Sequence, residues 1–375
     1  MVIAIDMIGT NLGSGTKTYN LNFCENLHKL KIENTIYIFV TKDYLDNIEQ
    51  NNNSNIKYIT KSNLLKNIFF RILWMQLVLP FELKFLKVNQ LFSPMNMGPI
   101  SLRLFNIKLT LALHSNLPWV YFSKMPGNTL RNFLTKILME SSIHLCDKLI
   151  VDSNFAKNEI IKLLKIEEKK VFSVYLGIDK KYLIEKKSQF YLENFKYENY
   201  IISVLSCVRY HNIIKLLKGF KLLKKEKNVN LKFVFVLQIL DKKYFDEINE
   251  FISKNFGENE IIIFKNLDSK FLVNLYKNSK FYIFSSYCEV FGLTSLEAMS
   301  QGCPVVISKR SALGEINSDA AEYFDPDDEV EIKDSMYKIL SEEDYKNKII
   351  EKGKVHYKKF DWKNTVLTTL KILNY

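Results

Sequence analysis

The feature that most restricts the fold is a regular alternation of short apolar runs with longer segments of helical periodicity, and this alternation occurs twice. Strands are predicted at 2–6, 37–40, 56–59, 108–113 and 149–152 in the first half of the chain. A second set is predicted at 201–205, 231–237, 261–264, 281–285 and 304–307. Strands rich in β-branched residues that alternate with helices form parallel sheets with helices on both faces. The sequence therefore predicts an α/β protein with two Rossmann-like domains.

A polar segment rich in Lys and Glu, 180–199, separates the two sets of strands and is predicted to be the linker. The predicted domains are 1–180 and 181–355, followed by a C-terminal segment, 356–375. Apolar residues at about one-turn spacing predict a helix over 355–373 that packs on either domain, and a return to the N-terminal domain is one interpretation. Ligands bind beyond the carboxyl ends of parallel strands, so the two sheets are expected to face each other across a cleft that holds the chemistry.

Composition narrows the class of protein. A quarter of the 375 residues are charged and about half are apolar, which is typical of a globular chain. The five cysteines are scattered without a CxxC pair, so neither a disulfide framework nor a zinc site is expected, and a reducing, cytoplasmic compartment fits. The first fifteen residues read as a buried strand and a glycine loop rather than a signal peptide, and there is no apolar run long enough to span a membrane.

The net charge of +12 is unevenly distributed. Residues 61–136 hold ten Lys and Arg against the single acid Glu82, which gives +9 and leaves +3 for the remainder. A basic surface indicates an anionic partner, such as the inner face of the cell membrane or a phosphate-bearing lipid, although a solvated face without a partner is equally compatible. No nucleic-acid partner is expected, because no recognisable binding module accompanies the charge. Residues 68–80 suit either a membrane-interface helix or an ordinary buried helix ended by Pro80, and burial is favoured.

The densest motif is SSYCEVFGLTSLEAMSQGCPVVIS, residues 285–308. A strand ends in a polar loop with Glu289, Gly292 allows close backbone approach, and Thr294 or Ser295 begins a helix that ends near Gly302. Amides without intrahelical partners at the start of that helix suit a diphosphate. Glu289 and Glu297 can face one ligand, since carboxylates accept hydrogen bonds from several sugar or ribose hydroxyls. Two surface glutamates beside a buried helix would be the simpler alternative.

This motif resembles the signature of the family-four retaining glycosyltransferases of the GT-B fold. The similarity continues through SALGE at 311–315, AAEYFDP at 320–326 and FDW at 360–362. The resemblance implies that Glu289 contacts hydroxyls of the donor sugar, Glu297 contacts the ribose, and the amides of Leu293 and Thr294 meet the diphosphate. One departure is Val290, where the family often has glycine, and its larger side chain is expected to reshape the sugar pocket.

A second element, residues 203–220, resembles the first strand and loop of the family's second domain. There an Arg and a Lys, followed by Asn or Gly, neutralise the donor diphosphate. Arg209 and Asn212 fit this pattern, but His211 takes the position of the lysine. Either Arg209 carries the charge alone or His211 donates a weaker, pH-sensitive bond, and an exposed loop arginine is the simpler alternative.

The N-terminal loop GTNLGSGTKT, residues 9–18, fails two other motifs. A P-loop needs glycine directly before Lys17, and a dinucleotide fingerprint needs glycine at the position of Thr18. A glycine turn remains whose amides can touch a phosphate or the acceptor, and Gly15 with Tyr19 is similar to the family's turn before a Tyr-bearing helix. A plain strand-to-helix turn explains it equally well.

His114 follows the strand at 108–113, in a position where the family has a histidine near the reacting sugar. It is therefore a candidate for a polar contact or catalytic support, although a lone histidine at a strand end is more often structural. Ser115 stands where the family commonly has Asp, which weakens an acid–base partnership. Ser153 is predicted to cap the helix that follows the strand at 149–152.

The implied reaction moves a hexosyl group from a nucleoside diphosphate sugar to a glycan or lipid-linked acceptor, with retention at the anomeric carbon. Surface polysaccharide synthesis in bacteria is the expected context. No cofactor and no metal are expected, because Arg209 and a helix N-terminus can stabilise the leaving diphosphate and the DPDD segment at 325–328 suits a solvated turn. The alternatives are an epimerase or phosphorylase-like enzyme on the same fold, and a non-catalytic protein that binds nucleotide sugars.

Overall fold

The structure is a computed structural model that describes residues 1–9, 14–46, 48, 53–183, 192–193, 195–196 and 198–373. It divides into two compact units. The first comprises Met1–Pro118, Leu130–Asp179 and Phe360–Tyr375, and the second comprises Trp119–Thr129 and Lys180–Lys359. The predicted linker, 180–199, lies partly outside the described residues.

The first unit is built on a parallel sheet. In the described part of the chain its strands are β1 Val2–Asp6, β2 Thr35–Thr41, β3 Ile56–Lys61, β4 Gln90–Ser93, β5 Lys108–Leu113, β6 Lys148–Val151 and β7 Val171–Ser173. Their order is β3-β2-β1-β4-β5-β6-β7, so the chain reverses its direction of winding between β1 and β4. Ile3 lies opposite Ile36 of β2 and Gln90 of β4. The central strands β1 and β4 are buried along almost their whole length, because both faces of the sheet are covered.

The second unit repeats this plan. Its described strands are β8 Tyr200–Cys207, β9 Lys232–Ile239, β10 Ile261–Lys265, β11 Tyr282–Phe284, β12 Val305–Ser308 and β13 Glu322–Phe324. The order β10-β9-β8-β11-β12-β13 again reverses the winding, here between β8 and β11. A reversal of this kind opens a crevice at the carboxyl ends of the two strands that flank it. The sequence predicts both parallel sheets correctly but not β4, β7 or β13.

The described helices before residue 180 are α1 Ser14–His28, α2 Lys42–Leu45, α3 Ile68–Leu73, α4 Leu79–Phe85, α5 Leu117–Val120, α6 Thr129–Leu145 and α7 Asn154–Leu164. The second unit has α8 Ile213–Lys227, α9 Lys242–Asn255, α10 Leu272–Asn278, α11 Leu293–Ser300, α12 Leu313–Asn317, α13 Glu329–Ser341 and α14 Glu343–His356. Helix α15, Trp362–Ile372, belongs to the first unit. The Ser153 side chain caps α7 by accepting from the Ala156 amide, which confirms that prediction.

Two helix predictions are wrong. The segment 355–373 is not one helix, because α14 ends at His356 and α15 restarts after Asp361, whose carboxylate accepts from the amides of Lys363 and Asn364. Residues 68–80 are not a buried helix ended by Pro80. A π-helical turn, Trp74–Val78, joins α3 to α4, and Pro80 lies in the first turn of α4, directly after this change in the helical hydrogen-bond pattern. Several apolar side chains of this segment are exposed, including Phe69 at 62% and Leu77 at 62%.

Helix α15 is held on the first unit by backbone and side-chain contacts. The amide of Ile178 donates to the Phe360 carbonyl, and the Thr365 hydroxyl donates to the carbonyl of Tyr175. Gly177 lies so close that a Cβ there would sit 2.1 Å from the backbone nitrogen of Trp362. Only glycine allows this approach, so the start of α15 depends on the absence of a side chain at residue 177.

Candidate functional site

Two loops meet at the carboxyl ends of β8 and β11, where the winding of the second sheet reverses. The Ser285 hydroxyl, directly after β11, donates to the carbonyl of His211 at 2.8 Å. The Tyr287 amide donates to the Tyr210 carbonyl at 2.9 Å. These bonds hold the turn after β8 against the loop after β11 and fix the side chains that both loops carry.

Helix α11 begins at this crevice because Gly292 turns the chain. Its φ of +95° lies in the left-handed region, and a Cβ there would stand 2.6 Å from Cδ2 of Leu313. The Ser295 hydroxyl donates to the Gly292 carbonyl at 2.8 Å and tightens the first turn. The side chains of Leu293 and Thr294 are half-buried, and the amides of a first helical turn have no intrahelical acceptor. The arrangement presents N–H groups and the positive end of a helix dipole to an anion.

Buried tyrosines orient two polar side chains of α11. The Tyr282 hydroxyl lies 2.7 Å from the Thr294 hydroxyl, and the Tyr276 hydroxyl donates to Oε2 of Glu297 at 3.3 Å. Burial raises the pKa of both tyrosines well above the ordinary value, so each keeps its proton. Glu297 is half-buried on α11, where a carboxylate can accept from vicinal hydroxyls of a ligand.

His211 and Glu289 form a hydrogen-bonded pair at the centre of the two loops. Nδ1 of His211 lies 2.6 Å from the Ser206 carbonyl oxygen, and Nε2 lies 3.2 Å from Oε1 of Glu289. A carbonyl oxygen only accepts, so Nδ1 is the donor to Ser206, and Nε2 is the ring atom that faces the carboxyl group of Glu289. The His211 side chain is 8% exposed and that of Glu289 is 20% exposed, so the pair is largely shielded from water.

Arg209 and Asn212, also in the turn after β8, are hydrogen-bonded to neighbouring segments of the second unit. The guanidinium of Arg209 donates to both carboxylate oxygens of Glu247, at 2.9 and 2.6 Å. This pairing raises the pKa of Arg209 and lowers that of Glu247. Asn212 has a φ of +57°, and its amide group donates to the Pro326 carbonyl at 2.6 Å. Asn212 therefore shapes the turn, and Arg209 uses two of its donors on Glu247; their roles toward a diphosphate stay predictions.

The candidate residues of the first unit lie at the carboxyl ends of its own strands. His114, directly after β5, has Nδ1 at 3.0 and 3.1 Å from the carboxylate oxygens of Asp152, which directly follows β6. Nε2 of His114 is buried and has no hydrogen-bond partner in the described part of the chain, and the ring lies 4.3 Å from that of Tyr19. Because the Asp152 carboxylate holds Nδ1, Nε2 is the ring atom of His114 that remains for a polar contact with a ligand. Gly15 lies in the first turn of α1, while residues 10–13 of the glycine loop lie outside the described residues.

The second unit thus brings together Glu289, His211, Gly292, Leu293, Thr294 and Glu297, whereas Gly15 and His114 belong to the first unit. Sequence reasoning missed three partners: Asp152 for His114, Tyr276 for Glu297 and Glu247 for Arg209. Asp152 could have been found, because β5 and β6 are consecutive predicted strands whose carboxyl ends meet. Tyr276 and Glu247 lie on helices and give no comparable signal.

Neither a metal cluster nor a membrane-spanning helix is present among the described residues. No group of three or more His, Cys, Asp and Glu side chains is arranged there to hold a metal ion, and the expectation of a metal-free reaction stays a prediction. No described helix combines the length and apolarity needed to cross a membrane.

Comparison with known families and proteins identifies the chain. Residues 13–182 match the model of Glycosyltransferase Family 4, and residues 185–356 match that of Glycosyl transferases group 1. The O-antigen chain mannosyltransferase B of Escherichia coli is 26% identical over 240 residues, which cover 62% of each chain. The O-antigen chain mannosyltransferase RfbU of Salmonella typhimurium is 23% identical over 227 residues, which cover 59% of this chain and 57% of that protein. The matched region therefore spans about three fifths of these relatives.

Solved structures extend the likeness to the whole chain. A glycosyltransferase from Rickettsia africae superimposes with a TM-score of 0.72 at 18% identity, covering 99% of this chain and 97% of that one. A sucrose-phosphate synthase from Thermosynechococcus elongatus gives a TM-score of 0.77 at 15% identity, with 100% and 98% coverage. At these identities the likeness shows the fold, which is GT-B. The two family models, which together match residues 13–182 and 185–356, identify the chain as a member of the family-four, group 1 glycosyltransferases.

Proposed function

We propose that this protein transfers a hexosyl group from a nucleoside diphosphate sugar to a glycan or lipid-linked acceptor, with retention at the anomeric carbon. The observation that carries the proposal is the convergence of His211, Glu289 and the start of α11 at the carboxyl ends of β8 and β11. We call this group of residues, with Glu297, the donor site. Each of its parts suits one portion of a nucleotide sugar.

The diphosphate belongs at the start of α11. As the bond between the sugar and the diphosphate breaks, negative charge grows on the leaving oxygens, and preorganised N–H groups at a helix N-terminus stabilise that charge. The amides of Leu293 and Thr294 begin this helix and can do so, and Nε2 of His211 is proposed to be shared between Glu289 and the diphosphate. This arrangement requires no metal ion, and the reaction is proposed to proceed without one.

The two glutamates bind hydroxyl groups at either end of the diphosphate. Glu297, oriented by the Tyr276 hydroxyl, is placed to accept from the ribose. Glu289, oriented by His211, is placed to accept from the transferred sugar. Two relatives are named O-antigen mannosyltransferases, so mannose is the first donor sugar to test, with bacterial surface polysaccharide synthesis as the context.

Calorimetric titration with UDP, GDP and ADP tests the donor site. A hydrogen bond to a charged group contributes about 1.5–3 kcal/mol, so Glu297→Ala should weaken binding of the preferred nucleotide by roughly 10- to 150-fold. Glu351→Ala is the matched control, since Glu351 is 71% exposed on α14 and pairs only with Lys354 among the salt bridges of the described residues. Equal losses in the two variants, or no binding to the parent at millimolar nucleotide, would contradict the proposal.

Turnover assays then test the chemistry. Release of the preferred nucleotide from its mannose, glucose and N-acetylglucosamine forms should be unaffected by EDTA, and NMR of the product should show the anomeric configuration of the donor. Nucleotide binding without release from any of these sugars, in the presence of an acceptor extract, would favour a non-catalytic nucleotide-sugar-binding protein.

A membrane-facing acceptor is proposed from the surface of α3, the π-helical turn and α4. Here Phe69, Leu77, Phe81 and Phe85 are 62%, 62%, 64% and 87% exposed. Basic residues flank them, and Nζ of Lys84 lies 5.7 Å from the ring centre of Phe105. Exposed aromatic rings beside lysines suit the interface of an anionic bilayer, here the inner face of the cell membrane with the protein on the cytoplasmic side.

Vesicle flotation tests this surface. The protein should float with vesicles that contain anionic lipid and stay in solution with zwitterionic ones, and a Phe81→Ser, Phe85→Ser double variant should lose the binding. Leu163→Ser is the control, because Leu163 is an exposed leucine, at 40%, on α7. If the double variant floats as the parent does, the surface is not the membrane contact.

A further inference from the structure

Arg71 is the most unusual charged group of the first unit. It lies on α3, its side chain is 1% exposed, and it is among the largest fully buried side chains of the described chain. Nε and Nη2 have no hydrogen-bond partner in the part of the chain that the structure describes. A buried guanidinium normally has its donors paired with carboxylates, carbonyls or a ligand, because removal from water is otherwise uncompensated.

Asp6 is the acid whose charge acts on Arg71, but the two side chains are not bonded. Asp6, the last residue of β1, is fully buried, and its Oδ1 accepts from the Ile8 amide at 3.0 Å. Its Oδ2 has no partner within the described residues, and no ion pair joins it to Arg71 there. Burial raises the pKa of Asp6 and lowers that of Arg71, so their mutual attraction does not offset the loss of water.

The chain makes room for this guanidinium with a glycine. Gly9 has a φ of +87°, and a Cβ there would lie 2.9 Å from Cδ and 3.0 Å from Nε of Arg71. The backbone that follows β1 therefore runs directly over the guanidinium. This place is the carboxyl end of β1, beside the reversal of winding between β1 and β4, where α/β sheets bind ligands.

Helix α3 has one face packed against the interior of the first unit and another face exposed to solvent. Arg71 points into the unit, while Phe69, Phe70 and Leu73 on the same helix are 62%, 46% and 41% exposed. The indole nitrogen of Trp74, one helical turn after Phe70, is a further buried donor without a partner in the described residues. Arg71 and Trp74 thus both have buried N–H groups without an acceptor in the described residues, and this indicates a ligand that accepts hydrogen bonds.

We propose that Arg71 forms an anion-binding subsite of the first unit and that it receives a phosphate-type oxyanion of the acceptor. The planar fork of an arginine matches the oxygens of a phosphate or diphosphate better than a lysine does. The inference rests on the proposed function, because it assigns this oxyanion to the acceptor rather than to the nucleotide sugar. It narrows the acceptor to molecules that carry a phosphate near the sugar to be extended.

Calorimetric titration with inorganic pyrophosphate tests the subsite. The nucleoside diphosphate that binds the donor site is kept at saturation, so that pyrophosphate cannot occupy the start of α11. The parent should bind one pyrophosphate, and Arg71→Gln should weaken this binding at least tenfold, with Arg71→Lys in between. Arg103→Gln, which changes an exposed arginine of the same unit, should bind as the parent does. Equal binding in the parent and Arg71→Gln, or no binding to the parent, would overturn the proposal.

A second titration separates the two sources of the oxyanion. The nucleoside diphosphate should bind Arg71→Gln with the affinity that it has for the parent. A parallel fall in nucleotide affinity would assign the oxyanion to the donor and overturn its assignment to the acceptor. If no nucleotide binds the parent, the donor site fails, whereas pyrophosphate binding that depends on Arg71 would still establish the subsite.

Anomalous diffraction provides a measurement that does not depend on a variant. Crystals of the parent soaked in tungstate should show a tungsten peak within hydrogen-bonding distance of Nε or Nη2 of Arg71. Tungsten peaks confined to the start of α11, or density for water alone at Arg71, would refute the subsite even if Arg71→Gln failed to fold.

Discussion

The turn at Gly292 gives a quantitative test of how the second unit builds its donor site. A side chain in the left-handed region costs about 1–2 kcal/mol, and overpacking of a filled site costs about 1–3 kcal/mol. Gly292→Ala incurs both, since φ is +95° and the new Cβ would lie 2.6 Å from Leu313. The unfolded alanine variant has less conformational entropy than the unfolded parent, which stabilises the folded variant by about 0.4–1 kcal/mol. We therefore expect a net loss of about 1–4.5 kcal/mol.

Scanning calorimetry measures this loss against a control in the same unit. Gly314 lies in α12 without a positive φ, and a Cβ added there would meet no atom within 4 Å, so Gly314→Ala should be neutral or stabilising by up to about 1 kcal/mol. For a unit of this size 1 kcal/mol corresponds to roughly 2–4 °C, so Gly292→Ala should melt about 2–18 °C lower. Equal melting temperatures of the two variants would refute the strained turn, and with it the placement of the first amides of α11.

Three further perturbations address other parts of the molecule. His211→Ala should weaken binding of the preferred nucleoside diphosphate about tenfold, because the donor site loses a hydrogen-bond donor that is largely shielded from water, and an unchanged affinity would contradict a contact between His211 and the diphosphate. Gly177→Ala should cost about 3 kcal/mol or more in urea unfolding, because its Cβ would lie 2.1 Å from the Trp362 nitrogen, and an unchanged midpoint would refute the packing of α15. Burial lowers the pKa of His28 below 6.5, so the folded state disfavours the protonated ring and the free energy of unfolding should fall as the pH drops below 6.5. In His28→Gln the urea unfolding midpoint should change less between pH 6.5 and 5 than it does in the parent. An equal change in the two proteins would show that His28 is not the source of this pH dependence.

The fold could be predicted largely because parallel strands buried on both faces leave apolar runs such as VIAID at β1 and VVIS at β12. The strands β7 and β13, VFS and EYF, are too short for any periodicity to appear. The prediction of a buried helix at 68–80 is wrong although its apolar residues have the spacing of one. The π-helical turn, which sequence patterns do not reveal, divides them between the interior and the surface.

The part of the donor site that lies on a single loop and the helix after it could be predicted from the sequence. The spacing of Glu289, Gly292 and Glu297 determines their place around the start of α11. The pairing of His211 with Glu289 joins residues 78 positions apart and requires the reversal of winding between β8 and β11, which the order of strands along the chain does not specify. The same holds for Arg71, because its packing against Gly9 joins residues 62 positions apart, and their contact depends on how the sheet and α3 are arranged.

A crystal structure with the preferred nucleoside diphosphate bound is the most direct test of the proposed donor site. We expect the β-phosphate within hydrogen-bonding distance of the Leu293 and Thr294 amides and the ribose hydroxyls on the Glu297 carboxylate. We also expect Nε2 of His211 to lie close enough to the diphosphate to donate to it. A nucleotide bound elsewhere in the second unit, or in the first unit alone, would contradict the proposed site.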